Sequence, residues 1–170
     1  HSIRKYRDAD ISDQDLQTIL QAGLLSASGR AVRPWEFIVV RNKETLQKMS
    51  GSRVGAAKML ENANAAIVVI ADESKTDVWV EDCSIAMSNM HLAASTLGIG
   101  SCWIQGRLRT ATTADSGTAS VTTEDYVREC LDFPEGYKLE AILSLGMPAE
   151  EKTPAELSKL PFEKIHYEKF

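Results

Sequence analysis

The chain has 170 residues, 44% of them hydrophobic and 25% charged, with a net charge of −5. That length suits one domain with a real core, and the acidic balance excludes broad nucleic-acid binding and attachment to anionic membranes, because neither polyanion attracts it. A local basic pocket for a small anion stays open.

Ser12-x-x-Asp15 has the form of a helix cap. Leu16, Ile19, Leu20, Gly23 and Leu24 follow at helical spacing, so a helix is predicted over 12–25. Residues 36–41 read as a buried strand and 43–50 as a short helix with Leu46 and Met49 inward. AAIVVIA at 65–71 is a second strand, rich in β-branched residues. A long helix is predicted over 79–97. Its apolar stripe (Cys83, Met87, Met90, Ala94, Leu97) is widened by Ile85, Ala86, Leu92 and Ala93, which predicts burial on most sides. Gly98 or Gly100 ends it. A third strand covers 101–105, a helix 123–131 and a fourth strand 137–145. Between them, residues 110–121 are rich in Thr, Ser and Ala without period and read as a mobile surface loop. From 147 the chain is polar and interrupted by Pro, a tail unable to bury much within its own subunit and suited to wrapping a partner. The order describes a single mixed α and β domain over 1–170, with no internal repeat.

Cys83, Cys102 and Cys130 are odd in number and form no Cys-x-x-Cys pair. That argues against a disulfide framework and for a reducing, cytoplasmic compartment. The longest apolar run is far too short to span a membrane, and no signal peptide is visible.

Familiar catalytic sets are missing. His1, His91 and His166 have no partner at metal-ligand spacing, and His91, on the long apolar helix, reads as a satisfied core histidine. No nucleophile elbow, phosphate loop or dinucleotide fingerprint is present. Cys102 sits in a strand and reads as a small core residue. Glu81 and Asp82 open the long helix and read as compensation of its dipole. With no convincing acid, base or nucleophile, any chemistry belongs to a cofactor. Two basic clusters remain. In an extended start, Ser2 and Arg4 share a side and suit a phosphate. Ser28, Arg30 and Arg33 form the second cluster, in SASGRAVRPWEF.

These stretches resemble the FMN-dependent nitroreductase family, in its small single-domain branch. HSIRKY resembles the family's amino-terminal Arg-Arg/His-Ser-x-Arg phosphate motif, without its first Arg. SASGRAVRPWEFIVV resembles its Pro-Ser-x-x-Asn-x-Gln-Pro-Trp loop and following strand. EDCSIAMSNMHLAASTLGIGSCWIQGR resembles the dimer helix and the strand beside the flavin. LSLGMPAEEKTP and FEKIHYEKF resemble the carboxyl-terminal segment. The resemblance implies a three-layer α+β sandwich with a mixed, mainly antiparallel sheet and a long central helix, assembled as a homodimer with FMN at the subunit interface. It implies that His1, Ser2 and Arg4 grip the phosphate and ribityl chain. Ala27, Ser28, Gly29 and Ala31 would approach the flavin from the other subunit. Trp103, Ile104, Gln105 and Gly106 would lie against the ring, with the Gln105 backbone N–H donating to N5. Lys58 would reach the pyrimidine edge and Lys159 the phosphate.

The loop departs from the family pattern. Ala27 replaces the usual Pro, Ala31 the usual Asn and Arg33 the usual Gln. Ala31 cannot hydrogen-bond the pyrimidine edge, and a lost bond of that kind costs roughly 1–3 kcal/mol; Arg33 is placed to compensate. The implied activity is NAD(P)H-dependent reduction of a nitroaromatic, quinone or related acceptor. The alternatives are a protein that stores or senses flavin, and a structural dimer with a decayed site.

Overall fold

The computed structural model describes residues 1–112 and 120–170. Three of its four α-helices begin where short polar side chains satisfy the first orphan N–H groups. The Ser12 hydroxyl accepts from the Asp15 N–H at 3.0 Å to start α1 (Asp13–Leu24). Asn42 does the same for Thr45 at the start of α2 (Lys43–Met49), and Thr122 for Asp125 at the start of α4 (Thr123–Leu131). The longest helix, α3 (Trp79–Thr96), ends in Gly98 at φ 72°. There the Gly98 N–H donates to Ser95 and the Ile99 N–H to Ala94 at 2.9 Å, closing the last carbonyls.

The strands β1 (Trp35–Val40), β2 (Ala65–Asp72), β3 (Gly100–Gln105) and β4 (Tyr137–Gly146) form one sheet in the order β1-β2-β4-β3. Every pairing among the described residues is antiparallel; the parallel element of the expected mixed sheet does not appear there. The sheet is the middle of three layers. Ile67 and Val69 of β2 and Leu143 and Leu145 of β4 pack with α1 and α3. Val68 and Ile70 of β2 and Leu139 and Ile142 of β4 pack with α2, α4 and Leu60. Both faces of β2 are covered, which is why AAIVVIA shows no polar alternation.

β4 changes phase once. Val69 pairs with Ala141 but Ile70 with Leu139, so Glu140 is an extra residue in a β-bulge. Leu139 and Ala141 would share a face in an unbroken strand, yet they belong to opposite layers. The bulge turns the Glu140 side chain toward α3, where Ser84 lies 3.5 Å from one of its oxygens.

Two expectations are corrected. The ends of the 110–121 stretch are fastened rather than mobile: Thr110 bridges Thr122, the Ala111 N–H donates to Val121, and the Thr112 N–H donates to Gly51. Residues 113–119 lie outside the described residues. Helix α3 is not buried on most sides within one chain. Its inner face is sealed, but Ile85 and Leu92 on the outer face are 42% and 60% exposed. Residues 151–170 are exposed throughout, with Lys152 paired to Glu150 at 3.0 Å near the start of the tail.

Candidate functional site

Strand β3 is an edge strand, and its free edge is directional. The Ile3 N–H donates to the Ser101 carbonyl at 2.9 Å, so the backbone polar groups of Ser101 face outward. Those groups alternate along an antiparallel strand, so Trp103 and Gln105 also turn theirs outward. Beyond Gln105 the alternation stops, because Arg107 turns its N–H inward as Gly106 does, and both donate to the Glu140 carbonyl, at 2.9 and 3.1 Å. The Gln105 N–H is therefore the last donor on the free edge. Its own side chain is tied down: Oε1 accepts from the Trp103 indole N–H at 2.9 Å, and Nε2 donates to the Glu140 carbonyl at 3.3 Å. Gly106 has no room for a side chain, since a Cβ would lie 2.6 Å from Leu139.

The amino-terminal segment lies at the other end of this edge. Ile3 packs down on Gly100, where an added Cβ would meet its Cγ2 at 2.7 Å. Ser2 and Arg4, its neighbours on either side, turn the opposite way. The Arg4 N–H donates to the Glu150 carboxylate at 2.8 Å, and that bond, joined by Lys152, draws the Glu150 pKa down to about 2. His1 borders a shallow cleft of about 220 Å³ with Ser101 and Lys152. Ser101 and Gln105 are four residues apart, or roughly 13 Å of strand. An elongated group with an anionic end and a planar end matches that span.

The loop that holds Ala27, Ser28, Gly29, Ala31 and Arg33 is strained and clamped. Arg30, Ala31 and Arg33 have φ of 53°, 55° and 50°, the left-handed region that side chains disfavour. Four contacts hold it. Asn89 donates to the Ser26 hydroxyl at 2.8 Å, Asp82 accepts from the Gly29 N–H at 2.7 Å, Ser28 accepts from the Arg33 N–H at 2.9 Å, and Arg30 pairs with Asp77 at 3.3 Å. Asp82 and Asn89 lie two turns apart on one side of α3. Asp82 lies in the first turn of α3, as the helix-dipole reading expects, and has a second role: its carboxylate is buried and accepts from Gly29. Gly29 is required there, because a Cβ would sit 2.9 Å from Val78. No local pattern signals this pairing, which joins residues far apart in sequence. The Arg33 side chain is exposed.

Lys58 is exposed and borders a separate cleft of about 300 Å³ with Arg53 and Thr112. Lys159 lies on the tail and pairs with Glu156 at 2.8 Å. Trp103 and Ile104 join opposite core layers. His91 is half-buried with Nδ1 2.6 Å from the Ser101 hydroxyl, the satisfied histidine expected. Glu140 is buried, with one carboxylate oxygen lacking a partner. Burial raises its pKa, against smaller opposing pulls from the Gln105 amide, Arg107 and Ser84. Burial, with Glu140 and Asp82 nearby, also raises the Cys83 thiol to about 12, so Cys83 is inert as a nucleophile. Among the described residues no group of His, Cys, Asp or Glu is placed to hold a metal ion. Among the described residues no helix is long and apolar enough to cross a membrane.

A three-layer α+β fold with a clamped loop, a long helix and a directional free edge defines the class, and the comparisons agree. The nitroreductase family profile matches residues 1–53 and 51–147, and the chain belongs to the nitroreductase family. It is 41% identical, over 99% of its length and 93% of the relative's, to a protein of Archaeoglobus fulgidus named as a candidate NADH dehydrogenase/NAD(P)H nitroreductase. A relative so named from Methanothermobacter thermautotrophicus is 35% identical, over 99% of this chain and 83% of its own. Among solved structures, an FMN-dependent nitroreductase of Clostridium difficile superposes with a TM-score of 0.92 at 44% identity, covering 100% of this chain and 95% of that one.

Proposed function

We propose that this chain is an FMN-dependent oxidoreductase that takes electrons from NAD(P)H and passes them, in a ping-pong cycle at one site, to a nitroaromatic, quinone or related acceptor. The observation that carries this reading is the free edge of β3, with Ser2 and Arg4 at one end and the outward Gln105 N–H at the other. The residues fit FMN: cationic and hydroxyl donors stand where a phosphate needs charge-assisted bonds, and a single fixed N–H stands where a ring needs orientation more than polar contact. FMN, when bound, supplies two-electron storage with hydride accepted at N5.

His1, Ser2 and Arg4 hold the phosphate and ribityl chain, with Lys159 a further phosphate contact. Trp103, Ile104, Gln105 and Gly106 form the wall against the ring, and the Gln105 N–H orients N5. Lys58 reaches the pyrimidine edge. Ala27, Ser28, Gly29, Ala31 and Arg33 belong to the site of a second copy, because we read the molecule as a homodimer. The exposed Leu24, Leu25, Ile85 and Leu92 and the apolar residues of the 147–170 tail support that assembly. Balance for a nitro acceptor is two electrons from NAD(P)H and two protons, with a nitroso product and one water leaving. The cysteines are free, in keeping with a cytoplasmic location.

A visible spectrum of the purified protein tests the reading, followed by anaerobic NADH and NADPH. Prompt bleaching of a bound flavin supports the oxidoreductase. A colourless protein that also ignores added FMN overturns it. Ala31, which lacks the amide usual there, favours a second reading as a flavin store or sensor; bound flavin that neither nucleotide bleaches would support that one.

A further inference from the structure

Immediately beyond Gln105 lies a cleft of about 470 Å³, whose lining includes Trp79, Arg107, Leu108 and Lys138 together with the carboxylates of Glu73 and Glu124. Its size is that of a small-molecule site. It opens one residue, about 3.8 Å of chain, from the outward donor of the β3 edge. One wall is the Trp79 indole, with the Arg107 guanidinium 5.8 Å from its ring centroid. The bulge fixes Arg107, whose N–H is held on the Glu140 carbonyl at 2.9 Å.

The charges on this cleft do not cancel. Glu124 is answered by Arg128 at 3.0 Å and by the Leu139 N–H at 2.9 Å. Lys138 is shared between Glu73 at 3.8 Å and Glu124 at 3.5 Å. Arg107 forms no ion pair among the described residues; its side chain is exposed over an aromatic face, in a chain that is acidic as a whole. A guanidinium held near an indole face keeps its outer N–H groups free for a planar oxyanion.

We propose that this cleft receives the electron acceptor, and that Arg107 selects acceptors that carry an anionic group, a carboxylate or sulfonate, on a planar ring. Trp79 and Leu108 bury the ring while Arg107 takes the anionic group. This rests on the reading of β3 as the flavin edge, which puts the reacting end of the acceptor beside Gln105 and Gly106.

The test compares kcat/KM for 4-nitrobenzoate with that for its neutral methyl ester, using NADPH or NADH as donor, in the flavin-loaded wild type and in Arg107→Ala and Arg107→Gln. The Gln variant keeps a stem against Trp79 and guards against a change of packing. Both variants are expected to lower the acid-to-ester ratio about tenfold or more relative to the wild type, the loss of one charge-assisted contact. An unchanged ratio, with both acceptors affected alike or neither affected, overturns the proposal. A rise confined to the KM for NAD(P)H also overturns it, since the cleft then serves the phosphates of the donor. Flavin that NAD(P)H does not bleach, with no turnover of even the ester, overturns the parent reading and the proposal with it.

Discussion

Buried charge decides the residue scale. Glu140 holds its proton more tightly in the folded chain than in the unfolded one, because burial outweighs its hydrogen bonds. The folded state therefore binds more protons, and its stability falls as pH rises from the unfolded carboxyl value through the raised one. Glu140→Gln removes that loss. The variant should melt above the wild type at pH 8 and converge with it near pH 4, as thermal unfolding across pH would show; a constant difference refutes the assignment. Asp82 makes the opposite case, a carboxylate with a job. Asp82→Ala strands the Gly29 N–H and should cost about 1–3 kcal/mol in denaturant unfolding, with a parallel loss of FMN affinity if the loop serves the flavin. Ala31 offers a gain. Asn tolerates the left-handed φ of 55° better than Ala does, and it restores an amide at that position. Ala31→Asn should tighten FMN about tenfold by fluorescence titration, the effect of one recovered hydrogen bond.

At the scale of elements, periodicity and caps made most of the fold legible. All four strands and all four α-helices among the described residues lie within one residue of the sequence reading, because Ser12, the β-branched run at 65–71 and Gly98 each act locally. What periodicity missed was non-local or short. The left-handed turns at Arg30, Ala31 and Arg33 have no glycine to announce them and persist through contacts with Asp82 and Ser28. The bulge at Glu140 shows only in the register of the neighbouring strand. Of the candidate site, the amino-terminal motif and the Gln105-Gly106 pair were proposed through family resemblance. The Trp79–Arg107 cleft was not, since it joins the start of α3 to the end of β3. Gly98 tests the local part. No atom lies within 4 Å of an added Cβ there, so the cost of Gly98→Ala reports the left-handed backbone alone, about 1 kcal/mol.

At the scale of the whole molecule, one chain leaves apolar surface uncovered in two places. The outer face of α3 presents Ile85 and Leu92, and the tail carries Leu157, Phe162, Ile165 and Tyr167, all exposed. Soluble monomers rarely keep so much contiguous apolar surface without a use for it. If both patches meet a second copy, Leu92→Glu should convert dimer to monomer in sedimentation while the far-ultraviolet spectrum stays native. Removing residues 151–170 should weaken the dimer and leave the core intact, since every residue of the tail is exposed. A dimer indifferent to both changes would place the interface elsewhere.

The extra residue in β4 carries a last consequence, one of phase rather than energy. Upstream of Glu140, Leu139 belongs to the α2–α4 layer; downstream, Ala141 belongs to the α1–α3 layer. Glu140 works like an added beat in a bar: the two halves of the strand keep the same rhythm but count from different origins. Deleting that one residue would not merely remove a carboxyl. It would leave Leu139 directly before Ala141, still opposite Ile70 and still facing the α2–α4 layer, while taking away the carbonyl that holds Gly106 and Arg107. A point deletion on a central strand would thus keep both core layers in phase yet loosen the end of an edge strand, while substitution at the same position would leave that anchor in place.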